Sequence, residues 1–203
     1  MKNLLLLLIL TLCFSCKNEK NCCVQFVDEK YSNIKIEPKF LNEQYKYIDY
    51  LYSKFGTQQI DTNLNEGYQI IFYSSHGFGK LINFERKINT FNLSMKSIQK
   101  EGWTKYKDNY SIQIDLEDWN KLVDIIYKYD FWTEETQRTK IEGVLDGFAI
   151  FISGYRSDAK KCNKRFKHFI LRSSPEYDKI GSLVESIIDF EERLEFKYHQ
   201  QSK

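Results

Sequence analysis

Apolar side chains recur along this chain in two rhythms. Ile48, Leu51, Tyr52 and Phe55 fall at i, i+3, i+4 and i+7, one face of a short helix that Gly56 stops. From Glu66 the spacing changes to every second residue. Tyr68–Tyr73 is β-branched and aromatic, Ser74-Ser75-His76-Gly77-Phe78-Gly79 reads as a turn, and Lys80–Ile88 alternates again, so the stretch predicts a hairpin. Phe91, Leu93 and Met95 extend it to a third strand. The helical rhythm returns at Leu116, Trp119, Leu122, Val123 and Ile126, with Asp115 placed to cap the first turn and Asp118 three residues on. That helix is expected to run to Lys128, with Phe131-Trp132 packing as the chain leaves it. Asp146-Gly147 is a turn dipeptide ahead of Phe148–Tyr155, whose nearly unbroken apolar run predicts a central strand. Arg165–Arg172 alternates, with Phe166, His168, Ile170 and Arg172 on one face and Lys167, Phe169 and Leu171 on the other. Ser174-Pro175 opens a closing helix carried by Ile180, Leu183, Val184, Ile187, Phe190 or Glu191, and Leu194.

Hairpin-connected strands mixed with helices in this order predict an α+β domain. The expected form is an antiparallel sheet of about five strands with two long helices packed on one face. No internal repeat is present.

The beginning of the chain follows neither rhythm. Leu4–Leu12 is a solid apolar run, with Lys2 before it and Ser15-Cys16 after it. A membrane-spanning helix needs about 20 apolar residues, and this run falls short. A basic start, a short apolar stretch and a small residue at its end are the parts of a cleaved signal peptide. The junction resembles a bacterial lipobox of the looser kind found in Bacteroidota lipoproteins. That resemblance implies cleavage before Cys16 and acylation of its thiol and new amino group. Lys17, not aspartate, follows Cys16, so no inner-membrane retention signal is implied, and the expected address is the outer membrane, with either face open. The expected organisation is a signal peptide at 1–15, lipidated Cys16 with a polar tether at 16–42, and one α+β domain at 43–203.

Removing 15 of the 203 residues leaves 188, enough for one domain with a real core. Thirty basic against twenty-eight acidic residues give a formal charge of +2, too nearly balanced to attract nucleic acid as a partner. Of the five cysteines, Cys13 leaves with the signal and Cys16 takes the lipid. Cys162 could pair with Cys22 or Cys23 in an oxidising envelope, fastening the tether to the domain.

Candidate chemistry is sparse. Gly77-Phe78-Gly79-Lys80 lacks the remaining glycine and the hydroxyl residue of a phosphate loop, so it reads as a hairpin turn. His76, His168 and His199 have no metal-ligand spacing, and no metal or cofactor is expected. Glu134-Glu135 and Glu191-Glu192 read as solvated charges. The set worth following is Trp132, Arg138, Asp146, Tyr155 and Arg172. An Asp146–Arg172 pair at one sheet end, walled by Trp132 and Tyr155, would make either a small binding site or a structural cluster.

Trp119, Phe131-Trp132, Asp146-Gly147, Ser153-Gly154-Tyr155 and Arg172-x-Ser174-Pro175, in that order, together with the hairpin from Tyr68 through His76, resemble a family of bacterial exported and lipoprotein domains. The resemblance implies a fold and no reaction. The expected role is a membrane-anchored envelope lipoprotein, non-catalytic, binding an envelope protein or a small ligand. The alternatives are an envelope hydrolase using His76 or His168, and an immunity or inhibitor lipoprotein.

Overall fold

The computed structural model describes residues 25–26, 38–61, 63–74, 76–98, 109–134, 147–158, 164–173 and 179–200. In chain order the elements are β1 (Gln25–Phe26), α1 (Pro38–Lys54), β2 (Glu66–Ser74), β3 (Gly79–Lys87), β4 (Thr90–Ile98), β5 (Tyr110–Ile114) and α2 (Leu116–Lys128). A 3₁₀ turn (Phe131–Thr133), β6 (Phe148–Asp158), β7 (Lys164–Ser173) and α3 (Lys179–Gln200) complete the fold. Strand order across the sheet is β1-β7-β6-β2-β3-β4-β5. The pairings from β7 through β5 are antiparallel, and the two-residue β1 lies parallel to β7 at the edge.

The α+β class is as expected, but two details differ. Six antiparallel strands form the sheet, not five; the additional one is β5, whose Ile112 and Ile114 alternate with Ser111 and Gln113. The helices also cover both faces. Ile70 and Ile71, and Ile150 through Ile152, are buried in succession, so both faces of β2 and β6 are apolar and both need cover. On one face α2 and α3 pack over Tyr68, Ile70, Ile82, Phe84, Leu93, Ile150, Ile152 and Ile170. On the other, Ile48, Leu51, Tyr52 and Phe55 of α1 meet Ile71, Leu81, Phe151 and Leu171. The unbroken apolar run in β6 is the sequence mark of this sandwiching.

Helix α1 starts at Pro38, within the segment expected to be tether, and Gln25–Phe26 pairs with β7. Its end is where the rhythm placed it. Gly56 has φ +56°, Thr57 N–H donates to the Tyr52 carbonyl and Gly56 N–H to that of Ser53, both at 3.2 Å. This left-handed stop closes the helix's free carbonyls and sends residues 57–61 sideways across the sheet.

Asp115 caps α2 as its position predicts, accepting from Asp118 N–H at 2.8 Å. That bond, and then Lys197 Nζ at 2.9 Å, hold its carboxyl down at about 2. The apolar stripe holds at Trp119, Leu122 and Ile126, whereas Leu116 is exposed. Asp118 is buried and receives Lys197 Nζ at 2.6 Å and the Tyr198 hydroxyl at 2.9 Å, which fastens α2 to α3. Glu191 corrects another expectation. It is wholly buried and not a solvated charge, taking Lys80 Nζ on one carboxylate oxygen and the Tyr110 hydroxyl on the other. The lysine of the phosphate-loop look-alike is thus spent on an internal ion pair, and the turn before it closes with Ser74 N–H on the Phe78 carbonyl at 2.7 Å.

Candidate functional site

The residues singled out by sequence divide between two faces. Cys16, Cys22, Cys23, Cys162, Arg138 and Asp146 lie outside the described residues. Trp132 and Arg172 both face α2 and α3, while Tyr155 projects to the opposite face, where it packs with Ile60 and Leu64. Neighbouring strand positions alternate in direction, and Gly154 occupies the Trp132 side, so Trp132 and Tyr155 do not wall one site.

What gathers around Trp132 is a plug. Gly154 leaves a trough in β6 into which the 3₁₀ turn sets Phe131 and Trp132. Phe131 lies 5.1 Å, centroid to centroid, from both Trp132 and His168. His168 is 1% exposed, closed off from any substrate. Arg156 stacks its guanidinium 4.8 Å from the Trp132 ring. Arg172 pairs with Glu134 at 3.2 Å and donates to the Leu171 carbonyl at 3.0 Å. Glu134 is thereby a half-buried partner and not a free charge. The cluster is a packed end to the sheet in which the buried arginine is already engaged.

Arg172→Ala should therefore destabilise the domain by about 3 kcal/mol, since it strands Glu134 and opens a gap beside the plug. Thermal unfolding measures this. A variant with an unchanged Tm and a lost binding partner would instead make Arg172 a binding residue.

His76 stands exposed in the turn between β2 and β3, whereas His168 lies in register with Gly154 and Tyr68. Tyr68 and Ser74 are six strand residues apart, about 20 Å at the rise of an extended chain, so the two histidines do not converge.

The other face carries a different arrangement. Ser153, Gln69, Asn83, Ser94 and Ser111 stand in register across β6, β2, β3, β4 and β5, a polar row beside the apolar strip that α1 covers. At the edge of that strip burial pushes the pKa of the Tyr52 hydroxyl up to about 12. Next along the sheet, the segment after Gly56 arches over the row and leaves a cleft of about 220 Å³. Its lining includes Gln58, Ile60, Asp61, Gln69, Asn83 and Glu85. Gly67 seats the arch, because a Cβ there would lie 3.0 Å from the side chains of Ile60 and Leu64.

The cleft is lined mainly by polar side chains. Gln69 is 5% exposed, and its Nε2 donates to the Gln58 carbonyl at 3.3 Å. A carbonyl only accepts, so the amide NH₂ must face it and Oε1 is turned away. Asn83 Nδ2 lies 3.3 Å from Ser94 Oγ. Among the described residues neither Gln69 Oε1 nor Asn83 Oδ1 has a hydrogen-bond partner, although both are buried. Glu85 stands two residues beyond Asn83 on the same face, and its carboxyl pKa is raised by partial burial and then by the charge of Asp61. Sequence reasoning passed over these residues. The signal was Gln69, a polar side chain inside Tyr68–Tyr73, together with the Leu81, Asn83, Glu85 alternation of the next strand.

No protein-family model, curated protein or solved structure matches this chain. The molecule is an α+β domain in three layers, with a packed plug on one face of its sheet and a small polar cleft on the other.

Proposed function

We propose that this chain is a bacterial envelope lipoprotein, held by acyl chains on Cys16 and acting by binding, not catalysis. The observation that carries the reading is the Leu4–Leu12 run between Lys2 and Ser15-Cys16, too short to span a bilayer and shaped as a cleavable signal. Each buried CH₂ of an acyl chain contributes about 0.8 kcal/mol, so more than one chain makes attachment effectively permanent. Among the described residues no helix is long and apolar enough to cross a membrane, which accords with a tethered body. The outer membrane is the proposed location.

Binding is favoured over hydrolysis by the state of the histidines. His168 is sealed in the core and His76 stands at a turn, apart from it. The cleft, by contrast, offers buried polar atoms still lacking partners. Such atoms cost about 1–3 kcal/mol each when left unpaired, and a ligand recovers that cost. Affinity capture of the lipidated protein from its own membranes, with a Cys16→Ala control, tests the reading. An enriched partner or small molecule that depends on the intact anchor or cleft is expected. Capture indistinguishable from the control would count against it.

A further inference from the structure

We infer that the cleft over β2 and β3 is a site for an alkylammonium group; this rests on the binding reading above and names its ligand chemistry. Three neighbouring positions supply acceptors: Gln69 Oε1, Asn83 Oδ1 and the Glu85 carboxylate. Gln69 and Asn83 are directly opposed across the strand pair, and Glu85 follows on the same strand face as Asn83. An ammonium carries three donors and no acceptor, which matches this set in number and in kind.

Each amide gives one N–H inside the protein, Gln69 to the Gln58 carbonyl and Asn83 to Ser94 Oγ, and an anion entering the cleft would meet the Glu85 and Asp61 charges. The nearby cation does not supply the missing partner. Lys167 Nζ does not itself line the cleft and is bound at 3.0 Å to Oε1 of Gln59, a lining residue. Asp61 uses one oxygen on the Asn63 N–H at 2.8 Å, so its remaining charge reinforces Glu85 at the rim.

Size narrows the class. At about 220 Å³ the cleft is smaller than the roughly 300–1,000 Å³ of sites for drug-sized ligands, and suits one amine head with a short stem. Ile60 gives that stem an apolar wall. The rise in the Glu85 pKa fits the same chemistry, since partial burial first and the Asp61 charge second disfavour a bare carboxylate there, and a cation offsets both.

The test uses the full chain in detergent micelles, with ¹⁵N labelling to follow the side-chain amides of Gln69 and Asn83. Gln69→Leu and Asn83→Leu assign those signals. Butylammonium should shift both, whereas 1-butanol, of the same length and uncharged, should shift neither. Glu85→Gln should weaken butylammonium about tenfold while leaving Tm unchanged or raised, as expected when one of two repelling charges is removed. Putrescine and N-acetyl-lysine methylamide separate the two sources of such a group: tighter putrescine binding indicates a free amine, and tighter lysine-derivative binding indicates a partner's side chain. Equal shifts with butanol, no shift with any of the amines, or displacement of butylammonium by equimolar Ca²⁺ would overturn the assignment. A chain that carries lipid and captures a partner yet ignores these amines loses only the ligand assignment. A bare Cys16 with intact amine binding loses only the anchor.

Discussion

Gly154→Val is expected to destabilise the domain by about 3 kcal/mol, the upper part of the range for overfilling a packed interior. Even the first added carbon has no room. A Cβ at position 154 would lie 2.5 Å from Phe131 Cε1, 3.0 Å from its Cζ and 3.2 Å from Trp132 Cη2. The Phe131 ring cannot turn away easily, being held between Tyr68, Trp132 and His168 with centroids at 6.2, 5.1 and 5.1 Å. Relief would require the 3₁₀ turn to lift, and that movement would draw Glu134 from Arg172. In denaturant the transition midpoint should fall with its slope unchanged. An unchanged midpoint would mean that Phe131 is not seated over Gly154.

Glu191→Ala is expected to cost about 3–4 kcal/mol, because removing one member of a buried ion pair leaves the other charge uncompensated. Glu191 has no exposure at all, whereas Lys80 keeps 17% of its side chain in contact with solvent. Tyr110 loses its acceptor too. Its hydroxyl pKa is raised by burial first and by the Glu191 carboxylate second, so in the fold it is a firm donor to that carboxylate. Replacing both charges with apolar groups of similar size, Lys80→Met with Glu191→Leu, should restore most of the loss, since well-packed hydrophobic residues substitute for buried ion pairs at little cost. Equilibrium unfolding of the two single variants and the double variant measures the coupling. If the single and double changes cost the same, the pair is not what holds α3 to β3.

Much of this fold was legible in local patterns. Gly56 as a helix stop, Asp115 as a cap, and the apolar positions of α3 all depend on residues within one or two turns of each other. The hairpin from β2 to β3 was readable for the same reason, since its strands are joined by a short turn. What local spacing could not settle was which face each element covers. The unbroken apolar run of β6 implied burial on both faces, yet placing α1 on the far face requires knowing that β6 lies inside the sheet, between β7 and β2. Strand β5 was missed because five residues with Ser111 and Gln113 on one side carry a weak signal until β4 is there to pair with them.

The same limit governed the site. Trp132 and Tyr155 looked like partners in sequence, but the one-residue offset between Gly154 and Tyr155 sends Tyr155 through to the other face. Glu191 resembled its neighbour Glu192, and only the arrival of Lys80 and Tyr110 from distant strands makes one buried and leaves the other exposed. Gln69 and Asn83 are brought face to face by the register of β2 on β3, fourteen residues apart along the chain.

The proposed role turns on the chemistry of one thiol, and the intact mass of the protein isolated from its own membranes addresses it most directly, followed by fragmentation of its first residues. A chain beginning at Cys16, with a diacylglyceryl group on its sulfur, is the predicted result. A free Cys16 thiol, or a chain that still carries Leu4–Leu12, would contradict it.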